Sequence, residues 1–351
     1  MTGERGRALA GLRELTRTRV LAFLREPEAV FWTFVFPVLL ALALGVAFRQ
    51  QQPAPARVGV ARGPTTAAFE TWLAAAPDLE VVPLAPGAAD EALRRGRVLV
   101  LVTADPAGRP VLTYDPTRPE TNLARRAAHD ALERGAGRRD RLDAQQRAEV
   151  RAGARYIDFL IPGLLGMNLL GTGMWGVGFP IATARQQKLL RRLIATPMRR
   201  RDYLLSLVLN RFVWLGPEVA AILGFGMLAF GVEVRGSWAA LLAVHLVGAF
   251  AFAALGLLVA SRARTIEAVS GLMNFAMLPM WVLSGSFFSS ERFPAAMQPI
   301  VQALPLTAAN DALRLIMNEG AGLFAVGGEL AILAAWGAGG FALALRLFRW
   351  E

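Results

Sequence analysis

Hydrophobic residues in this chain come in blocks separated by charged connections, and the lengths of the blocks carry the first information. A helix rising 1.5 Å per residue needs about 20 apolar residues to cross a bilayer core. Uncharged runs of that length occupy 29–48, 159–184, 236–261 and 268–288. Two more runs accept a carboxylate. The first is 208–232, whose uninterrupted apolar part starts at Phe212 and includes Glu218; the second is 323–345, with Glu329 near one end. Six transmembrane helices are therefore expected. The first run is longer than the 7–15 residue core of a signal peptide and follows a charged, amphipathic segment of 28 residues, so it reads as a retained anchor.

The pattern changes completely across 49–158, where no stretch is apolar enough to span. Alternating or β-branched runs predict strands at Arg57–Ala61, Leu79–Leu84, Arg97–Thr103 and Pro110–Tyr114. Helical spacing fits Thr65–Ala75, Ala88–Arg95 and Pro119–Glu133. Strand, helix, strand, helix, strand, strand, helix is the order of a small α/β domain. The charged stretch from Ala136 to Arg155 then reads as a solvated helix or stalk leading into the second span.

Composition supports this division and removes several chemistries. Hydrophobic residues make up 54% of the 351 and charged ones only 19%, below the roughly 25% typical of a soluble domain. There are no cysteines, two histidines (His129 and His245) and one lysine, Lys188. Thiolate chemistry and disulfides are excluded. A Walker A loop needs Gly-Lys-Ser/Thr at the phosphates, yet Lys188 lies between Gln187 and Leu189, so these residues hold no phosphate loop. His129 falls on a polar helix face without a second histidine or any cysteine, and solvation accounts for it better than a metal. The inserted domain shows no set of nucleophile, base and orienting group, and no catalysis is assigned to it.

Charge fixes the expected orientation. With both termini inside, the segments 1–28, 185–211, 262–267 and 346–351 carry 18 Lys or Arg against 7 Asp or Glu, the whole of the net charge of +11. Short loops with an excess of Lys and Arg stay in the cytoplasm, whereas a long domain crosses regardless of charge. The basicity is thus topological, and no nucleic-acid partner is expected.

Two cytoplasmic elements are amphipathic. In 1–28, Leu9, Leu12, Leu15, Leu21 and Leu24 alternate with Arg13, Arg17, Arg19 and Arg25 up to Pro27, which suits a helix lying on the inner leaflet. In 185–207, Leu189, Leu190, Leu193 and Ile194 share one helical face, with Lys188, Arg191 and Arg192 on the other.

The succession Leu24-Arg25-Glu26-Pro27, Pro37 and Gly45, Leu190-Arg191-Arg192-Leu193-Ile194-Ala195-Thr196-Pro197, then Leu304-Pro305-Leu306 with Asp311-Ala312-Leu313-Arg314, resembles the permease subunits of ABC-2 type exporters. It is most similar to the class with a large extracytoplasmic domain between the first two spans. The resemblance implies a membrane α-helical fold: a six-helix exporter-type transmembrane domain with a small inserted α/β extracytoplasmic domain. It implies a multi-pass protein of the bacterial cytoplasmic membrane, pairing with a second permease copy or a paralogue and docking cytoplasmic ABC ATPase subunits. No cofactor is bound by this chain, since ATP and Mg belong to the partner. The coupling element would run from about Arg185 to Ala195, giving Arg185, Lys188, Leu189, Arg191, Arg192, Leu193, Thr196 and Pro197 as ATPase-coupling residues. Family members usually carry carboxylates and a Gly-Thr pair where this chain has Arg185-Gln186-Gln187-Lys188, so a charge-reversed contact with an acidic groove is expected. Arginines resting on anionic headgroups would give the same pattern.

Four polar side chains in the apolar runs stand out as candidates for a translocation path: Asn168, Glu218, His245 and Asn274. A carboxylate in hydrocarbon costs about 2.5 kcal/mol or more on insertion scales and normally faces protein or water. Glu218 would sit near the midplane, with a structural hydrogen bond beside Pro217 as the competing account. The segment 289–319, punctuated by Pro294, Pro299 and Pro305, is too polar to span. Resemblance implies a re-entrant or outer-leaflet hairpin, while the residues alone fit an outer loop equally; Arg314 is placed to pair with Asp311. The expected activity is ATP-driven export of an amphiphilic drug, antibiotic or lipid-like molecule. The alternatives are an ion-coupled secondary transporter, or a membrane-anchored sensor with an extracytoplasmic ligand-binding domain.

Overall fold

Among the described residues six helices are long and apolar enough to cross a membrane: α1 (Pro27–Ala47), α5 (Tyr156–Gln186), the Leu209–Phe230 part of α6 (Arg200–Phe230), α7 (Trp238–Ala260), α8 (Ile266–Leu283) and α11 (Gly327–Leu347), the last entered through a 3-10 turn at Leu323–Val326. The computed structural model describes residues 16–18, 20–48, 55–63, 65–139, 153, 155–189, 192, 200–263 and 265–348. The chain divides into a helical unit, Met1–Arg49 with Val150–Glu351, and an inserted unit, Gln50–Glu149.

Helix α1 is continuous but not regular. A π-turn spans Phe31–Val35, and the Phe36 amide bonds the Phe31 carbonyl. The cause lies one residue further on: Pro37 has no N–H and its ring would press on the carbonyl four residues back, and a widened turn absorbs both defects.

In the helical unit α5 and α7 form the centre, buried along most of their length, while the other four helices each keep broad outward faces. Apolar side chains in lipid gain little from meeting one another, so association rests on close approach of small residues. A Cβ on Gly256 of α7 would lie 2.5 Å from the Met174 carbonyl of α5, and one on Gly173 would lie 2.6 Å from Phe252 Cβ. Because the obstacle at Gly256 is backbone, Gly256→Val is expected to cost about 1–3 kcal/mol, the usual penalty of overpacking, seen as a lowered unfolding midpoint in detergent.

The polar stretch after α8 folds onto this bundle. Two 3-10 turns lead to α9 (Gln298–Ala303) and α10 (Pro305–Glu319), each with proline in its first turn, and α10 ends at Gly320 in the left-handed region. Helix α10 is held by polar ties to the end of α8 and the start of α5. Asn310 Nδ2 donates to the Ser284 carbonyl at 2.8 Å, and Asn318 Nδ2 donates to the Asp158 carbonyl at 3.0 Å. The Arg314–Asp311 contact expected from spacing is present at 3.5 Å. Arg314 also donates to the Gly285 carbonyl and lies 3.9 Å from the centre of the Phe159 ring.

The inserted unit is a four-stranded sheet of order β2-β1-β3-β4, formed by β1 (Ala56–Ala61), β2 (Leu79–Leu84), β3 (Val100–Ala104) and β4 (Pro110–Tyr114). Strands β1, β2 and β3 are parallel and β4 is antiparallel to β3, with Val58 opposite Val81 and Val100, and Val102 opposite Leu112. Helices α2 (Ala67–Ala74), α3 (Ala89–Arg94) and α4 (Pro119–Gly135) complete it. Val58, Val60, Val100 and Val102 meet Phe69 and Leu73 of α2 and Ala124, Ala128 and Leu132 of α4 in one apolar core. Strand β3 starts three residues later than Arg97, because Gly96 at φ +69° turns the chain and the Arg97 amide still bonds the Ala92 carbonyl. At the β3–β4 turn, Asp105 Oδ1 accepts from the amides of Ala107 and Arg109 at 2.9 and 2.8 Å. The Arg109 amide above all, with the Arg109 side chain and the Ala107 amide, holds its carboxyl below the usual range.

Candidate functional site

The four polar residues expected along a path do not form one group. Asn274 is exposed on α8, on the same outward face as Phe275, which is 80% exposed. Glu218 and His245 are buried, and Asn168 is half-buried. Glu218 is the centre of what the fold assembles.

Its principal partner is a residue that the pattern of charges assigns to the cytoplasmic connection. Arg211 and Glu218 both lie on α6, seven residues and two helical turns apart, so their side chains emerge on the same side and reach toward each other. Arg211 Nη1 donates to Glu218 Oε1 at 2.8 Å and lies 2.8 Å from Oε2, and each side chain is only 4% exposed. From α5, the Thr172 hydroxyl lies 3.1 Å from Glu218 Oε2 and 2.6 Å from the Asn168 carbonyl, so its one proton serves either acceptor. Sequence reasoning misses Arg211 because a charge near the end of an apolar run reads as the boundary of the span. The spacing to Glu218 is the available signal.

The pair explains how a carboxylate survives inside the span. An isolated buried charge is costly, and a well-placed counter-charge with a further hydrogen bond offsets the cost. Glu218 is therefore held rather than free, accepting from Arg211 with the Thr172 hydroxyl of α5 beside it. His245 on α7 is buried. Its Nδ1 is 2.7 Å from the Leu241 carbonyl one turn back, which places the proton of the neutral ring on Nδ1 and leaves Nε2 as an acceptor. Among the described residues Nε2 has no partner, nor do Arg211 Nε and Nη2. The cluster thus joins α5 and α6 directly and keeps unused donors on Arg211.

The expected coupling residues also separate. Helix α5 continues through Gln186, so Arg185 belongs to the spanning helix rather than to a distinct helix beginning there, and it is buried at 9% exposure. The helix stops at Lys188, which takes a left-handed φ of +55° that glycine normally supplies at this position. Lys188, Leu189 and Arg192 are exposed. Arg191, Leu193, Thr196 and Pro197 lie outside the described residues. Among the described residues no group of histidine and carboxylate side chains is arranged to hold a metal.

Comparison with known proteins falls on the same region. The family described as ABC-2 type transporter matches residues 134–318, which take in α5 through α9 and all but the last residue of α10. Nodulation protein J of Rhizobium meliloti (strain 1021) is 27% identical over 203 residues, covering 56% of this chain and 75% of that protein. No solved structure matches the chain.

Proposed function

The chain belongs to the ABC-2 type transporter family, and on that premise we propose that it is the permease of an exporter that moves an amphiphilic molecule, drug, antibiotic or lipid-like, out across the cytoplasmic membrane. It is a multi-pass membrane protein, and its 351 residues contain no phosphate loop. Hydrolysis is the work of separate ATPase subunits, docked on the cytoplasmic side at the connection between α5 and α6. Both termini lie on that side, the inserted α/β unit lies on the other, and the functional assembly contains a second permease, identical or paralogous.

The observation that carries this reading is the end of α5. The central, buried span α5 ends in a left-handed turn at Lys188, whose amide is tied to the Arg185 carbonyl, and Lys188, Leu189 and Arg192 beyond the helix end are exposed. A bilayer span cannot sense nucleotide, so movement of an ATPase has to enter through a rigid element that leaves the membrane. The central position of α5 delivers such movement to the bundle. The Arg211–Glu218 cluster lines or gates the path through it, with Asn168 and His245 as neighbours. An ion-coupled mechanism would need a midplane carboxylate able to exchange its ion, whereas Glu218 is held by a buried Arg211 guanidinium at 2.8 Å. The test is copurification with the ATPase encoded nearest to this chain, then a screen of drugs and lipids for stimulated hydrolysis. Export that continues at full rate after deletion of every ABC ATPase would refute it.

A further inference from the structure

Arg185 ends α5 in a way that a docking residue would not. Its Nη1 donates to the Ala260 carbonyl at 2.8 Å and to the Ala263 carbonyl, and its Nη2 donates to the Ser261 carbonyl at 3.3 Å. The guanidinium carbon also lies 5.6 Å from the centre of the Phe348 ring, just past the end of α11. These carbonyls are the last of α7 and of the short connection into α8, groups that a helix leaves without internal partners and where its dipole is negative. A guanidinium is suited to them because its donors lie in one rigid plane.

The apolar cluster around this clasp sets Ala184, Ala253, Ala260 and Ala344 among Val177, Ile181, Leu207 and Leu257, so the helices approach closely and the guanidinium supplies the polar tie between them. On its other side Arg185 is continuous with the exit from the span, since its own carbonyl accepts the Lys188 amide at 3.0 Å and so closes the left-handed turn. One residue thus fixes the root of the exposed basic segment by its backbone and the α7–α8 connection by its side chain.

We infer that Arg185 is a transmission residue: displacement entering at Lys188 passes through its guanidinium to the α7–α8 connection. This rests on the permease reading and adds the route by which an external push reaches the spans that α5 does not itself extend into. Arg185 is a positioning residue and makes no contact with the ATPase.

The chain has no cysteine, so a single introduced thiol can be spin-labelled selectively. Gln187 and Arg262 are both exposed; Gln187→Cys reports the entry and Arg262→Cys the α7–α8 connection. Each is measured in nanodiscs with the ATPase subunits, before and after trapping with ATP and vanadate. With Arg185 present, both spectra are expected to change on trapping. With Arg185→Met, the Gln187 label should still respond and the Arg262 response should fall at least about fivefold, the lower bound of a typical coupling between sites. A merely structural residue would alter both labels before trapping and lower the unfolding midpoint, without separating the two responses. A full Arg262 response in Arg185→Met overturns the inference. Should that variant not assemble, Arg185→Lys keeps the charge but loses the planar fork, and is read by the same separation. Silence of both labels with Arg185 intact overturns the permease reading, and the inference with it.

Discussion

Replacing Glu218 with alanine is expected to destabilise the helical unit by about 3–5 kcal/mol, the cost of leaving a buried charge without its partner. The orphan would be Arg211, whose side chain is 4% exposed and whose ionic partner is Glu218. The measurement is the unfolding midpoint in detergent, together with the fraction of chain recovered folded from the membrane. Arg211→Met with Glu218→Met should recover most of the loss, because a buried pair replaced by apolar groups of similar volume is close to neutral. That double variant also separates structure from transport. If the cluster only joins α5 to α6, the double variant exports at the normal rate; if it lines or gates the path, export falls although stability is restored. Glu218→Gln gives the complementary result, keeping the shape while removing the charge.

Reversing the charge of Arg191 and Arg192 to glutamate is expected to abolish the ATP turnover that the permease adds to its ATPase subunits. In the proposed complex an acidic groove meets the exposed basic segment, and like charges across a contact cost several kcal/mol in complex formation. Turnover of the complex reconstituted in nanodiscs, measured against the ATPase subunits alone, checks this. The competing account places the two arginines on anionic headgroups. In that case the variant keeps its turnover in neutral lipid and loses it only as anionic lipid is added. Unchanged turnover in both lipids removes these residues from any coupling role.

Much of the architecture is legible in the order of residues. Span positions follow from apolar run length, because hydrocarbon thickness sets a length that composition either meets or does not. The inserted sheet follows from β-branched runs alternating with helical spacing, and the four strands and three helices lie close to where those patterns put them. The exceptions are local. Strand β3 is shortened by a left-handed glycine at 96 and α5 runs past residue 184, since a terminal residue is decided by which carbonyl its amide finds.

Chemistry is legible only as a set of residue types. The sequence by itself determined that Glu218 lies in an apolar run and faces protein or water, that six runs are long enough to span a membrane, and that one family's motifs occur in order. It did not determine the partner of Glu218. Hydropathy treats a charge near a run's end as the edge of the membrane, which sets Arg211 among the soluble arginines, although it lies two turns from Glu218 on one helix. Arg185 groups with Lys188 and Arg192 for the same reason, and only the packing of α5 against α7 shows that its guanidinium turns inward onto backbone carbonyls. Charge along a chain is a one-dimensional quantity, whereas the cost of burying it depends on which donors and acceptors the folded helices bring within about 3 Å. Tertiary structure alone decided which of these arginines meet solvent and which hold the bundle together.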